Sequence, residues 1–510
     1  MTAFEKTFME ANMNENQSKA WGQLTDRMKQ VNLINSSIAL LHWDQQTYMP
    51  PRGAELRGAQ VGTLSGITHG LSTAPEVGDW IQTVGSGKLD TFHTAAVRNI
   101  KKAYEREAKM PAELVQKFSE AQSTGFTAWM KARSSGDFND FAPALQTLLD
   151  LSRERVSFIK TDEACDYDVL LDQFDPGVST ASLNPIFDRL AAGLGELLKA
   201  IDGQPQVEKL GGEWDTEAQK NFYNELIPTL GYSLENGRLD EAQHPFSIKM
   251  TPGDTRLTTH YYKGDLLSAL GGTMHEAGHG MYEQGLNPDW WNTGVGEAAS
   301  LGMHESQSRF WENFIGHSMA FCEYVAPQIN KHFGTSVTPE RLYSAANRVE
   351  RSFIRVQADE ATYNLHIIVR FKLEQALVHG DITVAEAPGV WADLYEKIVG
   401  VRPQNLNDGV LQDVHWSGGA FGYFPSYSLG NLYAASLGVK IQEDLPEMWD
   451  QVRAGNFCEI LGWLRQKVHL RGHLIEAPEI VSDAVGERDM VNDLLDHMWS
   501  RFGGLYGVQK

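Results

Sequence analysis

Cysteine is nearly absent from this chain. Cys165, Cys322 and Cys458 are the only three in 510 residues, too few and too far apart for a disulfide framework, so a reducing, cytoplasmic setting is expected. Basic residues are outnumbered as well, with 44 Lys and Arg against 66 Asp and Glu and a formal charge of −22. With no Lys/Arg-rich run to offset that balance, neither nucleic acid nor an anionic membrane surface is an expected partner. No apolar run approaches the 18 or so residues of a membrane helix. Residues 1–20 lack the basic and apolar regions of an export signal. Repeats, low-complexity tracts and linkers are missing too. Length alone would suggest several domains, yet nothing marks a boundary, so residues 1–510 are expected to form a single catalytic domain.

What the chain does have is apolar bulk, 42% hydrophobic and 10% aromatic, enough for a well-buried core. Its spacing is mostly helical. Leu183, Ile186, Phe187, Leu190, Leu194, Leu197, Leu198 and Ile201 recur at intervals of three and four, with Asn184-Pro185 expected to open that helix and Gly203 to stop it. Similar patterns predict helices over 18–42, 93–110, 112–133, 142–160, 310–333, 340–378 and 489–501. Residues 244–262 differ. Phe246, Ile248 and Met250 alternate with polar residues, and Pro252-Gly253-Asp254 supplies a turn before a Thr- and Tyr-rich run, which together read as a hairpin. The fold class is therefore mainly α, with a small β-hairpin just before the most informative motif.

That motif is His275-Glu276-Ala277-Gly278-His279. Two histidines four apart on a helix lie on one face, so both rings can reach a single metal ion. The glutamate between them projects about 100° round the helix, out of the ligand row but within reach of a water on the ion. This is the arrangement of a zinc peptidase, with two imidazoles as ligands and a carboxylate as general base. A catalytic zinc usually takes a third protein ligand and leaves one position open. Residues 296–313 are expected to form the helix that supplies it, offering Glu297, His304, Glu305 and Glu312. Glu305 shares a mostly small or apolar face with Ala298, Leu301 and Ser308, where a carboxylate needs a partner, so it is the favoured ligand. Glu297, in the first turn, is the alternative. The structural alternative for Glu305 is an ion pair with Arg309 one turn later, which can also coexist with metal binding.

Five short motifs then occur in order: Asp254-x-Arg256-x-Thr258, the His275–His279 pentapeptide, His304-Glu305-Ser306-Gln307, Ile354-Arg355-x-x-Ala358-Asp359, and Gly409-x-x-Gln412-Asp413-x-His415-Trp416. With Leu41-His42-Trp43-Asp44-Gln45 and Met49-Pro50-Pro51 near the start, they make the chain resemble the carboxypeptidase Taq family of metallocarboxypeptidases over most of its length. The resemblance implies Glu305 as third ligand. It also implies a largely helical, two-lobed enzyme with a deep central groove, assembled as a saddle-like homodimer.

Removing a C-terminal residue requires a fixed cation for the terminal carboxylate, best an arginine. Arg355 and Arg256 are the candidates. Arg355 is expected in a helix, where an i,i+4 pair with Asp359 is its structural alternative, and the resemblance associates this motif's arginine with the carboxylate. For the oxyanion, His415 and Tyr427 flank the glycine-rich stretch 417–422, with Asp413 positioned to orient His415. Alternatively, His415 belongs to an aromatic core of Trp416, Phe421, Tyr423, Phe424 and Tyr427. Glu360 and Tyr363 are further cleft candidates; His244 and His260 read as hairpin residues. The expected function is a zinc carboxypeptidase, with cobalt able to replace zinc, acting on peptides with a free C-terminus. Two rivals stand beside it. A zinc endopeptidase of the thermolysin type would show an Asp four residues after its ligand Glu, where this chain has Leu301 and Arg309. A non-catalytic, peptide-binding helical dimer would leave Glu276 without a role.

Overall fold

Short polar side chains set where the helices begin. Asn14 and Gln17 cap each other's backbone at the start of Glu15–Thr47, and Asp90 caps Thr91–Ala108. Ala112–Ser135 ends on Gly136 at φ 69°, and Ala142–Ile159 follows. All four agree with the sequence expectation. The computed structural model describes residues 13–510; most of the stretch read for an export signal, residues 1–12, lies outside the described residues. No helix among the described residues is long and apolar enough to cross a membrane.

Three expected helices differ, each because a stronger cap or break intervenes. Thr180–Ile201 starts before Asn184-Pro185, because Ser179 and Ser182 form a capping box there; Pro185 lies inside the helix. The long helix expected over 340–378 is two helices, Pro339–Ala346 and Glu360–His379. The second is started afresh by Asp359, whose carboxylate takes the Ala361 and Thr362 amides. Arg355 therefore stands in a one-turn 3-10 segment, Arg355–Gln357, rather than in a helix. The 310–333 helix is also split, into a π turn at Phe310–Ile315 and Met319–Phe333, capped by Ser318.

The sheet has three strands, not two. β1 (Gly237–Glu241) runs parallel to β3 (Asp254–Thr259), which pairs antiparallel with β2 (Phe246–Thr251) through the turn at Gly253. Along β3, Leu257 and Thr259 are buried toward the helix Leu266–Gly285, where the Thr259 and Thr273 hydroxyls are 2.8 Å apart. Strand alternation then turns Arg256 to the opposite face.

Two small apolar clusters hold the N-terminal helices. Leu24, Val77, Ile81 and Ile100 form one; in the other, Phe92, Ala95 and Ala96 meet Trp290, Val295 and Leu474. Trp43 adds a polar tie, lying under both Arg238 and Arg256, while the Tyr48 hydroxyl donates to Asp240 at 2.6 Å. From Ala132 onward a continuous core runs to Tyr506 and encloses the helix carrying the two motif histidines.

Candidate metal centre

Leu266–Gly285, capped by Asp265, carries His275 and His279 on one face with ring centroids 4.8 Å apart. Facing it is Leu301–Arg309, shorter than the expected 296–313 because Ser300 caps it and the preceding residues are irregular. Glu305 Oε2 lies 3.6 Å from His275 Nε2 and 3.5 Å from His279 Nε2. Donor atoms of these three residues fall within 4.8 Å of one another. Glu297 is elsewhere, in the irregular lead-in, half-exposed and paired with Lys249.

Two glycines permit this approach. A Cβ on Gly278 would stand 2.6 Å from the Gln307 carbonyl oxygen and 2.7 Å from Ser308 Cα, so the two helices cross in contact there. A Cβ on Gly430, in Pro425–Asp444, would meet Glu305 Cγ at 2.5 Å. The glutamate helix is pinned at its start by buried Asp175, which accepts from the Gly302 amide at 2.8 Å and from the Ser426 hydroxyl.

Behind the trio stands a set of partners that sequence reasoning had offered as ligands or passed over. Glu312 takes His275 Nδ1 at 2.7 Å, and Arg309 bridges Glu305 (2.6 Å) and Glu312 (3.2 Å). His304 contacts His279 through their Nδ1 atoms at 2.5 Å, and its Nε2 meets Glu283 at 2.9 Å, itself paired with Lys249. The conjunction of His304 with Glu305 in one motif was the only signal for this. Burial disfavours the His275 cation, but Glu305 and Glu312 outweigh it and raise the ring to about 9. Burial and His304 push His279 down to about 3. Glu305 would be raised by burial, yet Arg309 and the histidines hold it well below the usual carboxylate range. Burial lifts Glu276 to about 7. Its carboxylate accepts no protein hydrogen bond among the described residues, so its lone pairs are uncommitted.

Arg355 is buried. Its Nε bonds Asp413 at 2.9 Å and its Nη1 bonds the Tyr363 hydroxyl at 3.2 Å, while Nη2 has no protein hydrogen bond among the described residues. Arg309 lies over the same Tyr363 ring at 4.3 Å, so Glu305, Arg309, Tyr363 and Arg355 form one chain of contacts. The Asp359 alternative is not realised. Asp413 does not orient His415 either, because Arg370 takes its second oxygen at 2.6 Å. Among the described residues the buried His415 Nδ1 has no hydrogen-bond partner; its ring packs on Phe424 and Tyr423. Burial pushes it to about 4. The aromatic cluster is thus real, and it includes Tyr427, one turn before Gly430 and 3.5 Å from His415 Nε2, long for a hydrogen bond. Glu360 is buried against Arg501 rather than in a cleft, and His260 Nδ1 meets the Ala242 carbonyl oxygen. Arg256 is engaged by Asp254 at 2.8 Å and by the Trp43 ring, on the sheet face away from the trio.

The family model described as carboxypeptidase Taq (M32) metallopeptidase matches residues 23–502. The chain belongs to this family. It is 39% identical to thermostable carboxypeptidase 1 of Thermus thermophilus, over 96% of this chain and 99% of the relative. It is 36% identical to carboxypeptidase 1 of Bacillus subtilis, over 94% and 97%. A crystal structure of an M32 carboxypeptidase from Deinococcus radiodurans superposes with a TM-score of 0.93 at 33% identity, covering 96% of this chain and all of that one. The expectation of a mainly α metallocarboxypeptidase is therefore met.

A metallopeptidase of this family implies a divalent ion, and the trio fits one. Two imidazoles and a carboxylate converge, each ring nitrogen away from the site has a polar neighbour, and no fourth protein donor closes the set among the described residues. The fit depends on the helix crossing. Gly278→Ala should force the backbones apart, costing about 1–3 kcal/mol of stability or more and weakening metal binding in a chelator competition. An M32 chain whose Gly278→Ala variant keeps both would show that the crossing does not set the ligand distance.

Proposed function

We propose that this M32 metallopeptidase releases single residues from the free C-terminus of peptides, with zinc held by His275, His279 and Glu305 and with Glu276 as general base. The observation that carries the reading is the contact chain from Glu305 through Arg309 and Tyr363 to Arg355. It sets a guanidinium with a free Nη2 beside the ligand network. Arg355 and Arg370 also share the single Asp413 carboxylate, so a substrate carboxylate would bring the anion that the pair of guanidiniums lacks in direct contact.

The two imidazoles and the carboxylate favour zinc, with cobalt suited to the same set; an ion held there would supply Lewis-acid chemistry, lowering the pKa of a water and polarising the scissile carbonyl. Glu276 takes the proton from the attacking water, holds it on its carboxylate, and returns it to the leaving amine nitrogen. His415 is neutral at pH 7, so it and the Tyr427 hydroxyl act as neutral donors to the carbonyl oxygen as charge develops there. Arg355 pairs with the terminal carboxylate, which limits the leaving fragment to one residue. Arg256 faces away and is not given this role.

A mixed-sequence peptide and its C-terminally amidated twin, followed by mass spectrometry, test the reading. Stepwise loss of single residues from the free acid alone is expected. Internal fragments from both would replace it with an endopeptidase, and no cleavage by metal-loaded protein with a non-catalytic binding dimer. A homodimer, a cytoplasmic setting and one catalytic domain, two-lobed around a cleft, belong to the same proposal. They rest on the resemblance, on three unpaired cysteines and on the continuous core.

Metal uptake should also depend on pH. Without metal, His275 carries a proton up to about pH 9, whereas His279 and Glu305 are already deprotonated near neutrality. Binding must therefore release one proton, so apparent affinity falls about tenfold for each pH unit below 9, or about 100-fold from pH 8 to pH 6. Chelator competition at the two pH values measures it. A flat profile would mean that the metal-free ring is not protonated.

A further inference from the structure

Asp413 leaves open what positions His415, since both of its oxygens go to arginines and His415 Nδ1 has no partner among the described residues. The backbone of the strap must then do it. That strap, His415 to Tyr427, opens with the 3-10 turn His415–Gly418, passes through Gly419 and Gly422 in the left-handed region (φ 71° and 86°), and enters Pro425–Asp444. Glycine-rich backbone of this kind holds one shape only where something outside it fixes the ends.

We propose that Glu374 is the positioning residue for this strap, holding His415 and the Tyr423–Tyr427 turn in their working places. Glu374 is fully buried on the helix Glu360–His379. One of its carboxylate oxygens accepts from the Trp416 indole N–H at 2.6 Å, next to His415 in sequence. The other accepts from the Gly422 amide at 3.0 Å and from the Tyr167 hydroxyl at 2.6 Å. The carboxylate therefore ties the first turn of the strap to its last bend, and ties both to the core through Tyr167. The fit is close on the far side as well. A Cβ at Gly422 would lie 2.7 Å from the Leu170 carbonyl carbon, so the bend sits against the 170–171 backbone with no room to shift. A buried carboxylate is costly unless its lone pairs are filled, and here strap donors fill two of the three bonds.

The inference rests on His415 acting beside the metal, and its test separates the two. In Glu374→Gln the side chain keeps its size, but an amide N–H₂ must face donors. Expected are a kcat lowered by about 100-fold, as for a mispositioned group, with KM within about twofold and full metal content. The Gly422 amide should exchange with solvent about tenfold faster or more. Trp416→Phe, which leaves Glu374 intact and removes the strap's indole donor, should move kcat and exchange in the same direction. His415→Asn is run alongside. If it lowers kcat while Glu374→Gln and Trp416→Phe do not, the positioning role is wrong and the role of His415 stands. If His415→Asn keeps full kcat, the role of His415 fails and the inference with it. A Glu374→Gln protein that melts lower but turns over normally would reduce Glu374 to a stabilising contact.

Discussion

Glu276→Gln should leave metal binding within a few-fold of the parent and lower kcat by about 10²–10⁴-fold, the range a positioned general base supplies. The separation follows from geometry. Glu276 lies between His275 and His279 in sequence but is not one of the three converging donors, so on the proposed reading an isosteric amide removes a base and no ligand. It is buried, and its carboxylate accepts no protein hydrogen bond among the described residues, so the substitution leaves no protein donor without its acceptor. Stability should change little for the same reason, or rise slightly, because a buried carboxylate lifted to about 7 by desolvation is replaced by a neutral group. Metal content by atomic absorption, turnover of a free-acid peptide and a thermal melt together read the outcome. A variant that keeps full turnover would remove Glu276 from the mechanism, whereas one that loses its metal would make it a ligand in disguise.

How far the chain itself announced this arrangement depends on the range of each interaction. The juxtaposition of His275 and His279 was legible because their relation is internal to one helix, and Glu305 stood out on a mostly small, apolar helix face, although Arg309 one turn on was also an available partner. The hairpin was legible from alternation and from Pro252-Gly253. β1 was not: Gly237-Arg238-Leu239-Asp240-Glu241 has a single apolar residue, and it becomes a strand only because β3 offers it a parallel edge. The break before Glu360 was hidden in the same way. The apolar spacing continues across it, and only the Asp359 carboxylate, taking amides on both sides of the gap, shows that a new helix starts there. Outer contacts were least accessible. His304 and Glu312 are ligand-type residues close in sequence to Glu305, and nothing local tells a side chain that would bind an ion from one that would support such a ligand. Asp413 shows the limit most directly. Two residues from His415, it looks like that ring's partner, but Arg370, 43 residues earlier and fully buried, has the stronger claim.

The same competition explains the second large effect expected, that of Arg355→Gln. Removing this guanidinium takes away one of two cations on Asp413 but leaves the Arg370–Asp413 pair intact, so no buried charge is orphaned and the fold should hold. Function should not hold. A charge-assisted pair with the substrate carboxylate is lost, at about 2–5 kcal/mol, or roughly 30- to 5,000-fold in kcat/KM. The loss should be selective: a free-acid peptide and its amide, cleaved at very different rates by the parent, should approach equality in the variant. Asp413→Asn provides the contrast. It leaves two buried guanidiniums facing a neutral side chain and should cost about 3–5 kcal/mol of stability, with Arg355 free to drift. If Arg355→Gln keeps the preference for the free acid, the carboxylate is read elsewhere. Arg256 is a poor substitute, since its guanidinium is already shared between Asp254 and the Trp43 ring on the other face of the sheet.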